Sequence, residues 1–402
     1  MRRASSGIDA VLGAAGEAPM LEQTLAWSAI NSGSANLAGL SRMAETLADA
    51  FAVLPGEVAL VESDPVEQVD ALGRTSFFQG GRNLHVKVRP EAPVQILLTG
   101  HMDTVYAADH PFQETRWIEP KVTLNGPGTA DMKGGLAVML AALAAIERDP
   151  LSDQLGYDVV INSDEEIGSG GSAALITRAA AGKRAALTYE PALPNGMLAG
   201  ARPGTGNFSL IVSGRPAHAG RNPEDGRNAV VAAADLAVRL AALKRPGLSV
   251  NPARIDGGGP NNVVPDKAVL RVNLRPAALN DQTDAEAAIT EIVRGVSEAR
   301  DVAIHVRGGF GRPPKPLDAG AERLFHLVRE CGQTLGQQIA WQSTGGVCDG
   351  NNIAACGVPV VDTMGVRGGN IHSADEFLIV ESLIERAQLS ALVMLRLAAG
   401  GL

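Results

Sequence analysis

The chain has 402 residues, of which 45% are hydrophobic and 20% are charged, and its formal net charge is −9 at pH 7. This composition is typical of globular proteins and argues against intrinsic disorder. The acidic excess argues against a nucleic-acid-binding protein, which needs a basic surface, and the sequence offers no amphipathic anchor for a membrane.

Three cysteines, Cys331, Cys348 and Cys356, are too few for a disulfide framework in a chain of this length. Two arginines near the N-terminus resemble the start of a signal peptide, but no unbroken apolar stretch follows them. No uninterrupted apolar run reaches the roughly 18–20 residues that span a bilayer. We therefore expect a cytoplasmic protein, and a periplasmic location is the alternative.

The first half of the chain alternates between two kinds of apolar segment. Short runs that end in turn residues predict strands, and longer runs of helix-forming residues predict helices. The strands are expected at 83–88, 94–100, 157–163 and 185–191, and the helices at 132–148 and 171–180. This alternation predicts an α/β domain with a mainly parallel sheet flanked by helices.

The middle of the chain has a different order of elements. Strands are predicted at 208–214, 248–258, 267–276 and 302–309, and helices at 226–243 and 284–300. The resulting order, βαββαβ, is that of a ferredoxin-like domain. Helix and strand patterns then resume, with helices at 319–335 and 379–399 and strands at 339–343 and 358–364. We therefore predict a catalytic α/β domain in two parts, 1–203 and 315–402, with an inserted ferredoxin-like domain at 204–314.

Five short motifs place a histidine or a carboxylate at a predicted strand end or in a glycine-rich loop. In chain order the motifs are HMDT, GTADMKGG, DEEIGS, YEP and NIHS, and the residues are His101, Asp131, Glu166, Glu190 and His372. Each has an ordinary explanation when taken alone. An isolated histidine or glutamate is more often a core or surface residue, and Asp131 could be a helix N-cap.

Taken together, these residues indicate a metal site, because the carboxyl ends of strands in an open α/β sheet meet at one edge. Mixed imidazole and carboxylate ligands suit zinc, with cobalt or manganese as alternatives. Three carboxylates would supply a charge of about −3 against about +4 from two divalent ions. The remaining charge of about +1 would be balanced by a bridging hydroxide derived from water.

Two further acids accompany the proposed ligands. Asp103 follows His101 by two residues, so in extended backbone it would point the same way and could orient the imidazole. Glu165 precedes Glu166, and successive side chains in an extended chain face opposite ways. One of this pair could therefore bind a metal while the other faces a water.

The five motifs in this order resemble the di-zinc carboxypeptidase and aminoacylase family, which includes glutamate carboxypeptidases, acetylornithine deacetylase and succinyl-diaminopimelate desuccinylase. The resemblance covers nearly the whole chain and implies a zinc-exopeptidase type of fold with two Zn²⁺ per chain. It implies that Asp131 bridges the ions, that Glu190 shares one with His101, and that His372 shares the other with Glu166. Glu165 would be the general base, Asp103 would support His101, and the peptide bond after Asp131 would be cis.

The resemblance also suggests residues that bind the substrate. His218 would reach across a dimer to polarise the substrate carbonyl, and Asn262 would act from the inserted domain, although the neighbouring Asn261 leaves the register open by one residue. Arg312 would bind a substrate carboxylate through its forked guanidinium, with Arg275 as a second candidate. The remaining candidates are the loop glycines before His372, Gly368 and Gly369.

The function expected from these observations is hydrolysis of an amide bond adjacent to a free carboxylate, by a homodimer joined through the inserted domain. The substrate would be a small peptide or an N-acyl amino acid. An N-acyl-amino-acid deacylase or dipeptidase of the same family is the first alternative, and a catalytically silent small-molecule binding module is the second. A nucleophilic role for Cys348 is disfavoured because a metal site already supplies the nucleophile.

Overall fold

The strands of the protein form one central sheet and several smaller ones. The structure, a computed structural model, describes the backbone of residues 2–402 and the side chains from residue 7 onward. The strands are β1 (Glu57–Val61), β2 (Val66–Val69), β3 (Thr75–Phe78), β4 (Asn83–Val88), β5 (Val94–His101), β6 (Arg116–Glu119), β7 (Thr123–Asn125), β8 (Leu155–Asn162), β9 (Ala185–Thr188), β10 (Leu198–Ala199), β11 (Thr205–Ser213), β12 (Leu248–Gly257), β13 (Lys267–Pro276), β14 (Ala303–Arg312), β15 (Trp341–Gln342), β16 (Val360–Val361), β17 (Gly368–Gly369) and β18 (Phe377–Ile379).

The α-helices are distributed over both faces of the central sheet and one face of the sheet formed by β11–β14. They are α1 (Arg2–Gly16), α2 (Met20–Ser28), α3 (Leu37–Phe51), α4 (Gly134–Ile146), α5 (Ala173–Ala180), α6 (Ala229–Ala241), α7 (Leu279–Arg300), α8 (Ala319–Thr334), α9 (Asp349–Ala355) and α10 (Glu381–Ala398).

The central sheet has the strand order β1-β4-β8-β5-β9-β16. The pairs β8–β5, β5–β9 and β9–β16 are parallel, whereas β4 runs antiparallel to both β8 and β1. The prediction of a mainly parallel α/β sheet is therefore confirmed. Since side chains alternate across a strand, Ile96 and Leu98 of β5 belong to the core cluster that includes α4 and α10, while Leu97 belongs to the cluster on the opposite face with residues of α5 and α9.

The segment between β11 and β14 forms a separate four-stranded antiparallel sheet with the order β12-β13-β11-β14. Helices α6 and α7 cover one of its faces. This unit has its own hydrophobic core, in which Leu210, Leu270 and Leu236 are fully buried. The observed order of elements is the βαββαβ order that the sequence predicts, and it lies between the two parts of the larger α/β unit.

Several elements lack a clear sequence signal. The N-terminal helices α1–α3 and the sheet with the order β17-β18-β7-β6 are absent from the sequence prediction. That sheet consists of strands of two to four residues, too short for an alternating pattern to be recognised. It nevertheless matters for the site, because β17 and β18 flank the loop that carries His372.

Helix α4 lies at the centre of the larger core. Within the described residues, one helical stretch, Thr129–Ile146, is long and apolar enough to cross a membrane, and 94% of it is buried inside the protein. The first turn of α4 approaches the end of β9 so closely that a Cβ atom on Gly135 would lie 2.2 Å from the Tyr189 carbonyl oxygen. Glycine at this position allows α4 to pack directly on the strand that leads to Glu190.

We predict that Gly135→Ala lowers the free energy of unfolding by about 1–3 kcal/mol, because the added methyl group must displace backbone atoms. The matched control is Gly13→Ala on α1, where no atom other than its chain neighbours and the backbone of its own helix lies within 4 Å of the new methyl group. That variant should be neutral or slightly stabilising, because alanine favours a helix over glycine by roughly 0.5–1 kcal/mol. Chemical denaturation of both variants checks the prediction, and equal stabilities would contradict it.

Candidate metal centre

The predicted ligands lie at one edge of the central sheet. His101 is the last residue of β5, and its register partner Asn162 ends the neighbouring strand β8. Glu166 follows β8 by four residues, and Glu190 follows β9 by two. Because these three strands are parallel neighbours, their carboxyl ends bring the side chains together, as the sequence argument requires.

All five predicted ligands meet around Asp131. One carboxylate oxygen of Asp131 lies 3.0 Å from His101 Nε2, and the other lies 3.3 Å from His372 Nε2. Glu190 Oε2 is 3.7 Å from the first imidazole, and Glu166 Oε2 is 3.1 Å from the second. The five side chains therefore form a cage, defined here as His101, Asp131, Glu166, Glu190 and His372, with two halves that share the Asp131 carboxylate.

The backbone around Asp131 is shaped for this role. Asp131 does not cap α4: its φ and ψ angles of −118° and 87° are not helical, and it lies in a π-helical turn before the helix begins at Gly134. The Asp131–Met132 peptide bond is cis, as the family resemblance implies. The buried carboxylate of Glu376 accepts hydrogen bonds from the backbone N–H groups of Gly128, Ala130 and Asp131 at 3.0–3.1 Å, which fixes the turn.

Asp103 connects the two strand ends that carry ligands. Its carboxylate accepts hydrogen bonds from the Ser34 hydroxyl at 2.7 Å and from the backbone N–H groups of Glu165 and Glu166 at 3.1 Å. The same carboxylate lies 3.4 Å from His101 Nδ1. Glu165 and Glu166 belong to a 3₁₀ turn rather than to extended backbone. Their different directions therefore come from this turn and not from strand alternation.

Arg312 occupies a different position from the one expected for a residue that binds substrate. It is 5% exposed, and its Nη2 lies 2.8 Å from Glu165 Oε1 and 3.4 Å from Asp349 Oδ1. The same nitrogen donates to the Glu165 carbonyl and to the Ser169 hydroxyl. Arg312 thus holds the candidate base, and its guanidinium does not line the cavity beside the cage.

A cavity of about 270 Å³ opens beside the cage. Four of the cage residues line it, together with Glu165, and the other lining residues are neutral except for one arginine. The wall residues beyond the cage and Glu165 are Pro191, Leu193, Ala199, Arg202, Thr344, Gly346, Val347, Cys348, Thr363 and Ile371. Cys348 is buried, and burial raises the pKa of its thiol well above its usual range, which opposes a nucleophilic role.

The remaining substrate-binding candidates are not among the residues that line this cavity. His218 and Asn262 are exposed and adjoin each other in the inserted domain, where Ala219 N–H donates to the Asn262 carbonyl. Arg275 is also exposed and donates to the Gly345 carbonyl at 3.0 Å. Two candidates, Gly368 and Gly369, form the short strand β17 and are not among the residues that line the cavity.

The imidazoles and carboxylates of the cage shift one another's pKa values. Hydrogen bonds to Asp131 and Glu166 raise the pKa of His372 to about 10. Burial lowers the pKa of His101, but the nearby carboxylates of Glu190, Asp103 and Asp131 raise it by more, so the pKa of His101 lies well above its usual range. Burial also raises the pKa of Glu166 to about 7. Protons therefore screen the carboxylates of the metal-free protein, and divalent cations would replace them.

The donor set fits two metal ions. Carboxylate oxygens and imidazole nitrogens are ordinary zinc ligands, and ligand atoms of His101, Asp131 and Glu166 lie within 4.8 Å of one another. A second group with the same spacing combines His101, Glu190 and Glu165. Asp131 presents one oxygen to each half of the cage, which is the geometry that a bridging carboxylate needs.

Several residues that organise this region are absent from the sequence prediction. Glu376 comes four residues after His372, and Asp349 follows Cys348 directly. Asp362 lies just past the end of β16 and forms ion pairs with Arg202 and Lys315. It is an acidic residue directly after an apolar strand, which is the same sequence signal that identified Glu190. Their pairing partners are distant in sequence, so composition and spacing do not reveal them.

The fold and the cage define a metal-dependent hydrolase of the α/β exopeptidase type. Residues 97–396 match the model of peptidase family M20/M25/M40. The chain belongs to this family.

Related proteins agree with this assignment. The chain is 31% identical to carboxypeptidase G2 of Pseudomonas sp. (strain RS-16) over 332 residues, which cover 80% of this chain and 78% of that protein. It is 26% identical over 351 residues to succinyl-diaminopimelate desuccinylase of Caulobacter sp. (strain K31), covering 80% and 87% of the two chains. The M20 family metallo-carboxypeptidase Sso-CP2 of Sulfolobus solfataricus superposes with a TM-score of 0.71 at 14% identity, over 95% and 99% of the two chains, and so shares the fold.

We predict that zinc binding to the metal-free protein at pH 7 releases about one proton from each cage histidine, because a ligating imidazole must be neutral. Both histidines have raised pKa values in the metal-free cage, so apparent zinc affinity should increase as pH rises from 6 towards the pKa of about 10 of His372. Titration calorimetry in buffers of different ionisation enthalpy measures the released protons. Binding enthalpy that is independent of the buffer would contradict this description of the cage.

Proposed function

We propose that this protein uses two zinc ions to hydrolyse an amide bond adjacent to a free carboxylate, in the manner of a glutamate carboxypeptidase. The observation that carries the proposal is that four of the cage residues and Glu165 line the same small cavity. The similarity to carboxypeptidase G2 supports the carboxypeptidase assignment. The similarity to a desuccinylase supports the closest alternative, hydrolysis of an N-acyl amino acid.

Zinc ions held by the cage would polarise the scissile carbonyl and lower the pKa of a water from about 15.7 towards 7. The protein's own contribution begins with Glu165, whose carboxylate is buried and held at 2.8 Å by Arg312. Burial raises the pKa of Glu165 well above its usual range, and the arginine opposes this effect. A carboxylate with a raised pKa is suited to accept a proton from the attacking water and to return it to the leaving amine.

Glu165 keeps its position through a chain of buried contacts. Arg312 binds it, and Asp349 binds both the arginine and the Ser169 hydroxyl. Asp103 holds the backbone of the same turn. These contacts fix the base relative to the cage, so less reorganisation is needed during reaction.

The substrate class is tested with zinc-loaded protein and two matched panels, dipeptides with C-terminal Glu or Asp and N-acetyl or N-succinyl amino acids. We expect the highest kcat/KM for a dipeptide with C-terminal Glu. Preference for N-acyl amino acids without any dipeptide cleavage would support the deacylase alternative. Absence of hydrolysis in both panels would refute the proposed function.

The role of Glu165 is tested by Glu165→Gln, which keeps the shape of the side chain and removes the base. We expect kcat to fall by about 10³-fold, within the range for loss of a general base, while zinc content stays near that of the unsubstituted protein. Glu322→Gln, on the exposed face of α8, is the matched control and should leave kcat unchanged. Full activity of Glu165→Gln would assign the base to another group.

We also propose that the protein acts as a homodimer joined through the inserted domain, with His218 completing the cavity of the partner subunit. The support is that His218 is exposed and does not line the cavity of its own chain. An imidazole supplied by the partner would stabilise negative charge on the substrate oxygen.

Mixing Glu165→Gln and His218→Ala proteins, each inactive alone, tests this arrangement. If His218 acts in trans, a mixed dimer contains one site with both residues intact, and random exchange of subunits should restore about a quarter of the unsubstituted activity. If His218 acts within its own chain, no mixed site is complete. A mixture that stays inactive although subunit exchange is verified would therefore reject the proposal.

A further inference from the structure

Arg202 is the one arginine or lysine among the residues that line the cavity beside the cage. It precedes β11 and is 9% exposed. Arg312 is already paired with Glu165 and Asp349. Arg275 is exposed and donates a hydrogen bond to the Gly345 carbonyl. Arg202 is therefore the cation best placed to meet an anionic group inside the cavity.

The guanidinium of Arg202 is held by one of its two edges. Its Nε donates to Asp362 Oδ2 at 2.7 Å, and its Nη2 donates to Asp362 Oδ1 at 3.2 Å. This side-on pair fixes the plane of the guanidinium. Arginine presents five N–H donors in a rigid fork, so the end-on edge formed by Nη1 and Nη2 is left for other acceptors.

The end-on edge has no carboxylate partner among the described residues. Nη1 donates to the Thr344 hydroxyl at 3.3 Å and to the Gly346 carbonyl at 3.2 Å. Both distances are at or beyond the long end of the usual range for N–H···O hydrogen bonds. Thr344 and Gly346 also line the cavity, so a ligand that enters it meets this edge.

The charges around Arg202 are unbalanced. Asp362 is fully buried and is shared by Arg202 and by Lys315, whose Nζ lies 3.0 Å from Asp362 Oδ2. Within the part of the chain that the structure describes, neither cation has an ion pair with any other carboxylate. Two buried cations thus share one anion, and a buried excess of positive charge is costly unless an anionic group compensates it.

We propose that Arg202, held by Asp362, is the residue that binds the carboxylate of the substrate, through the end-on edge of its guanidinium. This inference rests on the proposed function and names the cation that recognises its substrate class. Four cage residues and Glu165 line the same cavity as Arg202, so a substrate whose carboxylate binds Arg202 would present its amide to the cage. A volume of about 270 Å³ restricts the occupant to a small molecule, since typical ligand pockets have about 300–1,000 Å³.

The test compares a substrate that carries the free carboxylate with the same compound in which that carboxylate is a carboxamide. Arg202→Met should raise KM for the carboxylate substrate by about 10–100-fold, the range expected for loss of a charged hydrogen-bonded pair. The carboxamide should show little change. Folding should persist, because this substitution leaves Lys315 and Asp362 as a balanced pair. Arg202→Lys should recover only part of the affinity, since lysine keeps the charge but lacks the fork.

Two matched variants separate direct contact from other effects. Lys315→Met removes the same charge from the same cluster but leaves Arg202 paired with Asp362, so it should discriminate between the two substrates much less than Arg202→Met. Arg275→Met removes the other arginine that contacts the 344–346 loop. The proposal would be overturned if Lys315→Met or Arg275→Met weakened binding of the carboxylate substrate as selectively as Arg202→Met does. It would also be overturned if Arg202→Met raised KM equally for the carboxylate and the carboxamide substrate.

Calorimetric binding of glutamate, the amino-acid product expected from a substrate with C-terminal Glu, to zinc-loaded protein provides a readout that does not depend on turnover. Weaker product binding in Arg202→Met than in unsubstituted protein would support the proposal even if neither substrate panel were cleaved. Unchanged product binding together with normal hydrolysis would reject Arg202 as the anchor and leave the proposed function intact. The two hypotheses therefore fail in different ways.

Discussion

The mutual repulsion of buried carboxylates is the constraint on which the rest of this structure depends. Asp103, Asp131, Glu165 and Glu190 are buried, with Glu166 beside them, and no arrangement of this kind is stable without compensating positive charge. In the metal-free protein, protons on His101 and His372 and the guanidinium of Arg312 provide part of it. Divalent cations bound by the cage would compensate the same charge more completely and would supply the metal-dependent chemistry of the family.

The supporting contacts follow from this constraint. Glu376 holds the turn that presents Asp131, and Asp103 ties the Glu165–Glu166 turn to β5. His372 has a φ of 63°, a left-handed conformation that a residue with a side chain adopts at a cost. The short strands β17 and β18 enclose its loop. The position of His372 therefore depends on short strands that lie outside the central sheet.

A second, smaller charge cluster reaches the same cavity through Arg202. Asp362, Arg202 and Lys315 are all buried, and in this cluster two cations face one carboxylate. The cavity is thus lined both by residues of the cage, which attracts cations, and by an arginine that can attract an anion. A molecule with a carboxylate near an amide carbonyl fits this polarity, which links the geometry of the cavity to the proposed substrate class.

The sequence by itself determined the α/β class, the order of elements in the inserted unit and the identity of the cage residues, because strand ends, helix periodicity and five ordered motifs are local signals. It also indicated Glu165, since that residue adjoins a ligand. Only the tertiary structure showed that Arg312 is committed to Glu165 and that Arg202 lines the cavity. An arginine's partner is chosen by packing between segments more than 100 residues apart, and no local pattern records that choice. The short strands around His372 were not predicted from the sequence for a related reason: pairing with distant segments, rather than their own composition, makes them strands.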